Sequence, residues 1–130
     1  MRLNPVFLFT LVAIGIIFYL AMKGVRKVVK YYNLESDAFA DMLKENNVIL
    51  LDVRTEDEFN AGHIENAQLI DVKKSDFSDR IKSLDPEKTY LVYCRSGVRS
   101  VKAAVILSDN GFSKVYNLLG GYNAWTEKNR

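Results

Sequence analysis

Hydrophobic and polar positions divide this chain into two unlike parts. From Leu3 to Met22 no residue carries a charge, and the stretch from Val6 onward is almost wholly apolar on every side. As a helix, twenty such residues rise about 30 Å, the thickness of a bilayer's hydrocarbon core. After Lys30 short β-rich runs alternate with helical stretches. Tyr31-Tyr32 is a first strand candidate. Ser36 is placed to cap a helix running to about Glu45, with Phe39, Met42 and Leu43 on one face. The run from Val48 to Val53 is nearly continuous in apolar residues, as a strand buried on both faces would be. Thr55-Glu56-Asp57-Glu58 spells a capping box for a short helix ending near Gly62.

Ala67 to Ile70 reads as a second, shorter strand of this kind, and Ser75 to Leu84 as a helix closed by Asp85-Pro86. Tyr90 to Tyr93 is a strand, Arg99 to Asp109 a helix with Gly111 as its stop, and Lys114 to Asn117 a last strand. Gly120-Gly121 then leads into a final helix carrying Trp125. Alternation of strand and helix favours a parallel sheet with helices on both faces.

Charge sharpens the division. Residues 1–30 hold five basic residues and no acidic one, a net +5, while residues 31–130 hold 13 basic and 16 acidic residues, a net −3. The mildly acidic second part argues against a nucleic-acid partner. Four of the five basic residues, Lys23, Arg26, Lys27 and Lys30, closely follow the apolar span, and only Arg2 precedes it. The positive-inside rule then predicts a single-pass membrane protein with its N-terminus outside and residues 31–130 in the cytoplasm, at the cell membrane if the source is bacterial. Leu20-Ala21-Met22-Lys23-Gly24 is a poor cleavage site, which favours a retained anchor over a signal peptide. The expected organisation is a membrane anchor with its basic flank over residues 1–30 and one domain over 31–130, with the bilayer as partner of residues 3–22.

The chemistry centres on Cys94, the sole cysteine. A lone cysteine excludes an internal disulfide and a multi-cysteine zinc site, and no metal or organic cofactor is implied. It stands between a strand end and a helix start, where backbone N–H groups converge and the helix dipole is positive. That setting favours the nucleophilic thiolate. Arg95 and Arg99 are expected to push the same way.

Five blocks, in order, carry a family resemblance: Leu51 to Phe59, Gly62 to Ala67, Val92 to Ser100, Ala103-Ala104, and Leu118 to Trp125. Together they resemble the rhodanese-like domain of sulfurtransferases across essentially all of residues 31–130. The resemblance implies an α/β, three-layer fold with a five-stranded parallel sheet flanked by helices, and an active-site loop opening with Cys94 as catalytic residue. It implies a sulfane donor such as thiosulfate or a persulfide, a thiol or cyanide acceptor, and transfer through a Cys94 persulfide. Asn66 stands where the family usually has glycine, and asparagine tolerates the left-handed turn expected there.

Within the loop, Ser96 offers a hydroxyl, Gly97 a permissive backbone, and Val98 completes the cradle; Arg95 and Arg99 are candidate contacts to an anionic donor. The spacing Cys94-x4-Arg99 is one residue shorter than the Cys-x5-Arg loop of phosphatases, so sulfur transfer is favoured over phosphoryl chemistry. Asp52 is a candidate pocket-lining residue, weighed against a role as ion-pair partner of Arg54. Arg54 and Glu58 are spaced as a local pair. His63, the only histidine, is read as ordering a turn rather than as a general base, and Tyr122 and Trp125 as packing the last helix. The competing function is a membrane-tethered docking or sulfur-relay module dedicated to one protein acceptor, with little activity on small molecules.

Overall fold

The computed structural model describes residues 2–24 and 31–129. The first element, α1 (Pro5–Gly24), has Asn4 as its cap, accepting from the Val6 N–H at 3.0 Å, and proline at its first position, where a missing N–H costs nothing. None of its residues is buried. It is long and apolar enough to cross a membrane. The basic residues Arg26, Lys27 and Lys30 lie outside the described residues.

The remaining elements are β1 (Tyr32–Leu34), α2 (Ser36–Met42), β2 (Val48–Asp52), α3 (Glu56–Ala61), β3 (Gln68–Leu69), α4 (Phe77–Ile81), β4 (Thr89–Tyr93), α5 (Val98–Asp109), β5 (Val115–Leu118) and α6 (Gly121–Lys128). The five strands form one parallel sheet in the order β1-β5-β4-β2-β3. Side chains alternate faces along a strand, and the central strands are apolar on both. Leu51, Tyr90 and Val92 join Ile81, Ala103, Ala104 and Leu107 in one core; Leu50, Leu91 and Tyr93 join Phe39, Ile64 and Leu118 in the other. The first core packs under α4 and α5, the second under α2 and α6, which gives three layers.

Several boundaries differ from the sequence expectation. Glu35, not Ser36, is the N-cap of α2. After Met42 the helical bonding tightens to three-residue turns, with the Lys44 N–H on the Asp41 carbonyl at 3.2 Å and the Glu45 N–H on the Met42 carbonyl at 3.0 Å, before Asn47 turns left-handed (φ 61°) ahead of β2. α4 is also shorter than expected, with single turns on either side of Phe77–Ile81. β3 keeps only two ladder residues, although the Ile70 and Val72 N–H groups still bond to Asp52 and Val53 carbonyls at 2.9 and 3.2 Å. The capping box at Thr55 and Glu58 forms as read, and Asn66 adopts the left-handed turn (φ 67°).

Candidate active site

Cys94 is the first residue after β4. The alternation that turns Tyr90 and Val92 toward α5 turns its side chain the same way, leaving the residue only 1% exposed. The chain then bends through Gly97, which is left-handed (φ 97°), to start α5 at Val98. A Cβ at position 97 would also lie 3.4 Å from the Leu118 carbonyl oxygen and the Gly120 nitrogen. This bend curls donors around the sulfur. The Gly97 N–H donates to Sγ at 3.1 Å and the Ser100 hydroxyl at 3.3 Å, and the Ser96 and Ser100 N–H groups also face it. Burial pushes the Cys94 thiol up, but these donors outweigh it, led by the Ser100 hydroxyl, and the pKa falls below its ordinary value.

The carbonyls of the loop point the other way. The Tyr122 N–H donates to the Cys94 carbonyl at 2.8 Å and the Asn123 N–H to the Arg95 carbonyl at 3.0 Å. The first turn of α6 thus holds the outer side of the loop while the inner N–H groups stay free for sulfur. Only glycine fits at position 121: φ is 59°, and a Cβ would come within 2.5 Å of the Cys94 carbonyl oxygen and 2.6 Å of the Arg95 carbonyl.

Arginine usage differs from the sequence expectation. Arg99 makes a bidentate pair with Glu58, at 2.6 and 2.8 Å, which binds the first turn of α5 to the first turn of α3. The Arg99 hydrogen bonds lower the Glu58 carboxyl to about 2, against its partial burial and with help from Thr55. Arg54 does not pair with Glu58. Its guanidinium grips both Asp52 oxygens (2.6 to 3.1 Å), donates to the Gly62 carbonyl at 2.7 Å, and lies over the Tyr122 and Tyr93 rings. Asp52, a candidate for the pocket wall weighed against an ion pair with Arg54, makes the ion pair: it is fully buried, and both its oxygens are committed to the guanidinium. Arg95 makes no ion pair or side-chain hydrogen bond among the described residues and is exposed.

The other candidates fall where a structural role suffices. His63 is exposed; its Nδ1–H donates to the Phe59 carbonyl at 2.9 Å and its ring stacks on Phe59 at 3.7 Å. Trp125 packs edge-on against Phe39 and joins α6 to α2. Ser96 contributes its N–H, and the hydroxyl at the sulfur belongs to Ser100, which sequence reasoning did not single out. The signal was present: Ser100 falls in the first turn of the helix that the loop starts. A cavity of about 290 Å³ adjoins the loop, walled by Arg54, Glu58, Arg95, Tyr122 and Asn123 among others. A larger groove, about 820 Å³, runs elsewhere over Leu50, Ile64 and Trp125, and Cys94 lines neither space. The donor ring, not groove size, locates the chemistry. Among the described residues no group of three or more His, Cys, Asp or Glu side chains is arranged to hold a metal ion.

A buried thiol cradled by loop N–H groups between a parallel strand and a helix is what the sequence blocks imply, and a family comparison decides it. The Rhodanese-like domain profile matches residues 35–128. The chain belongs to the rhodanese-like domain family. Thiosulfate sulfurtransferase 18 of Arabidopsis thaliana is 42% identical over 89 residues, covering 59% of this chain and 65% of that protein. Thiosulfate sulfurtransferase GlpE of Coxiella burnetii is 35% identical over 86 residues, covering 65% of this chain and 78% of that one. A tRNA uridine(34) hydroxylase of Chlamydia trachomatis is 36% identical over 99 residues, covering 72% of this rhodanese-like chain but only 30% of the hydroxylase. The chain therefore spans just under two thirds of the Arabidopsis relative and under a third of the hydroxylase. Among solved structures, a rhodanese-like domain protein from Staphylococcus aureus superposes with a TM-score of 0.65 at 33% identity, over 72% of this chain and 90% of that one.

Proposed function

We propose that this protein is a sulfurtransferase that carries sulfane sulfur as a persulfide on Cys94. The observation that carries this reading is the ring of N–H and hydroxyl donors around a buried Sγ whose pKa is lowered. The Cys94 thiolate attacks the outer sulfur of a donor such as thiosulfate. A new S–S bond forms, the donor's own S–S bond breaks, and sulfite leaves with its electron pair. The anionic persulfide then occupies the cradle, where the same donors stabilise it without a counter-charge. An acceptor nucleophile, a thiolate or cyanide, attacks the terminal sulfur and restores the Cys94 thiolate. The catalytic role belongs to Cys94. Ser96, Gly97, Val98 and Ser100 shape and supply the cradle, Arg95 faces the donor, and Arg99 holds the loop to α3.

In this reading α1 anchors the chain in a bilayer as a single span, with the N-terminus outside and the rhodanese-like domain in the cytoplasm. Support comes from its length, its apolar surface and the basic residues that follow it. The test uses the full chain in detergent, incubated with thiosulfate and weighed intact without reductant, beside Cys94→Ser. A gain of one sulfur atom, absent from the variant and removed by cyanide or a thiol, is the expected result. No gain from thiosulfate or from a persulfide donor would overturn general sulfur transfer and move the assignment to the partner-dedicated relay.

A further inference from the structure

Two aromatic residues of α6 sit in unlike surroundings. Trp125 packs edge-on against Phe39 in the apolar layer between α6 and α2. Tyr122, at the start of the helix, rests on a buried charge. Its ring lies 4.4 Å from the Arg54 guanidinium and stacks on Tyr93, with centroids 6.1 Å apart and planes 30° apart. Its hydroxyl fills the space beside Gly62, where a Cβ would come within 2.8 Å of that oxygen. Arg54 is itself pinned: it is buried, holds both Asp52 oxygens and donates to the Gly62 carbonyl at 2.7 Å. A cation shielded from water in this way attracts an aromatic face more strongly than an exposed one does. The packing that stabilises α6 and the contact that fixes its start are therefore carried by different side chains.

The start of α6 reaches the sulfur through the peptide planes of the loop. Every peptide bond among the described residues is trans, so each carbonyl points opposite to the N–H of the next residue. The Tyr122 N–H holds the Cys94 carbonyl at 2.8 Å, and the Asn123 N–H holds the Arg95 carbonyl at 3.0 Å. With both carbonyls drawn outward, the Arg95 and Ser96 N–H groups turn inward, and the Ser96 N–H is one of those that face Sγ. We propose that Tyr122 is a positioning residue for persulfide formation: seated on the Arg54–Asp52 pair, its ring fixes the first turn of α6, and that turn aims the loop N–H groups at the sulfur. Its role presupposes sulfur transfer through Cys94 and is exerted through the backbone, not on the reacting atoms. Tyr93, the residue before Cys94, closes the circuit, because its ring lies 5.4 Å from the same guanidinium. One buried cation thus orients both the strand that delivers the thiol and the helix that holds the loop around it. Along the chain Tyr122 reads only as packing for the last helix, because Arg54 lies far earlier in the sequence.

The test compares the full-length protein in detergent with Tyr122→Phe, Tyr122→Leu and Trp125→Leu. Single-turnover persulfide formation from thiosulfate is followed across pH and thiosulfate concentration, and melting is measured in parallel. Arg99, whose charge also couples to Cys94, stays paired with Glu58 on α3 in every variant, so a moved acid limb reports the loop and not that ion pair. Tyr122→Phe keeps the ring on Arg54 and should react within about twofold of the parent. Tyr122→Leu should lower the rate at saturating thiosulfate about ten- to 100-fold with half-saturation changed less than about threefold, and should move the acid limb to higher pH. Trp125→Leu, on the same helix, should melt lower yet keep the rate and the acid limb. Tyr122→Met, with a more adaptable side chain, repeats the measurement if the leucine variant does not fold. A ring-less variant that melts lower but keeps the parent's rate and acid limb would overturn the positioning role while leaving sulfur transfer intact. So would a loss in Trp125→Leu as large as that in Tyr122→Leu. Failure of the parent to load from thiosulfate or from inorganic polysulfide would remove sulfur transfer, and the role with it.

Discussion

Gly121→Ala is the substitution in which the fold and the reaction are most directly coupled. A left-handed residue costs an L side chain about 1–2 kcal/mol relative to glycine, and φ at this position is 59°. The added Cβ would also sit 2.5 to 2.6 Å from three atoms of the Cys94 and Arg95 carbonyl groups. Those are backbone atoms at the start of the Cys94 loop and cannot swing aside as a flexible side chain could. Overpacking of this kind adds about 1–3 kcal/mol, so the total is about 2–5 kcal/mol, or a fall in Tm of at least about 10 °C for a domain of this size. The loop must also move by several tenths of an ångström or more, carrying the N–H ring off the sulfur. A misplacement near 1 Å costs up to about 100-fold in rate. The control is Gly111→Ala, at φ 92° with nothing within 4 Å of the new Cβ. It carries the backbone strain without the collision and lies away from Cys94. Measured by melting and by single-turnover persulfide formation, Gly111→Ala should lose only about 1–2 kcal/mol of stability and keep its rate. Gly121→Ala should lose both. If Gly121→Ala forms persulfide as fast as Gly111→Ala, the packing of α6 does not shape the loop.

Glu58→Gln should lower stability by about 1–3 kcal/mol, since it removes the charge from a bidentate pair that is three-quarters shielded. The wild-type carboxyl is lowered in the fold to about 2, so its contribution is full above the ordinary carboxylate range and is lost as pH falls through about 2. Melting curves from pH 6 to pH 2 should therefore converge for the two proteins at the acid end. His63→Ala should change kcat by less than about twofold, because both partners of the ring lie on Phe59; a steady-state loss of 100-fold would refute this purely structural role. Full-length protein should resist carbonate extraction from membranes, and protease added from the cytoplasmic side alone should remove the domain. Release by carbonate would refute α1 as a spanning helix.

The sequence pattern carried local features well and distant ones poorly. The capping box at Thr55 and Glu58, the left-handed Asn66, the glycine bend at 97 and the two-faced apolar strands each follow from neighbours along the chain. Glu58 was read as a local partner for Arg54 at helical spacing, yet its partner is Arg99, 41 residues away. Nothing in the spacing of charges says which of two arginines a carboxylate will meet across a sheet. Asp52 and Arg54, two apart on an extended segment, pair because that segment is buried and neither charge can be left alone there. Gly121 belonged to a recognisable block, but its reason is contact with a peptide 26 positions earlier, which only the parallel crossing of β4 and β5 creates.

The source of the thiolate is the point on which expectation and structure part most sharply. Two arginines flanking Cys94 suggested long-range charge. In the fold, one is paired with Glu58, though its charge still couples to Cys94, and the other stands in solvent, while the leading effects that lower the thiol are hydrogen bonds from Ser100, Ser96 and Gly97. Short-range donors and free charges respond differently to salt: a charge exposed to water is screened over about 8–10 Å at physiological ionic strength, whereas a hydrogen bond inside a buried ring is not. The acid limb of the pH profile for persulfide formation should therefore stay in place from low to high salt and in Arg95→Gln. In Ser100→Ala it should move to higher pH, because the leading donor to the sulfur is gone. The thiosulfate KM should behave in the opposite way, rising with salt and in Arg95→Gln. Single-turnover rates across pH at two salt concentrations separate these responses. An acid limb that moves upward in Arg95→Gln but not in Ser100→Ala would return the thiolate to the arginines and leave the loop N–H ring as scaffold.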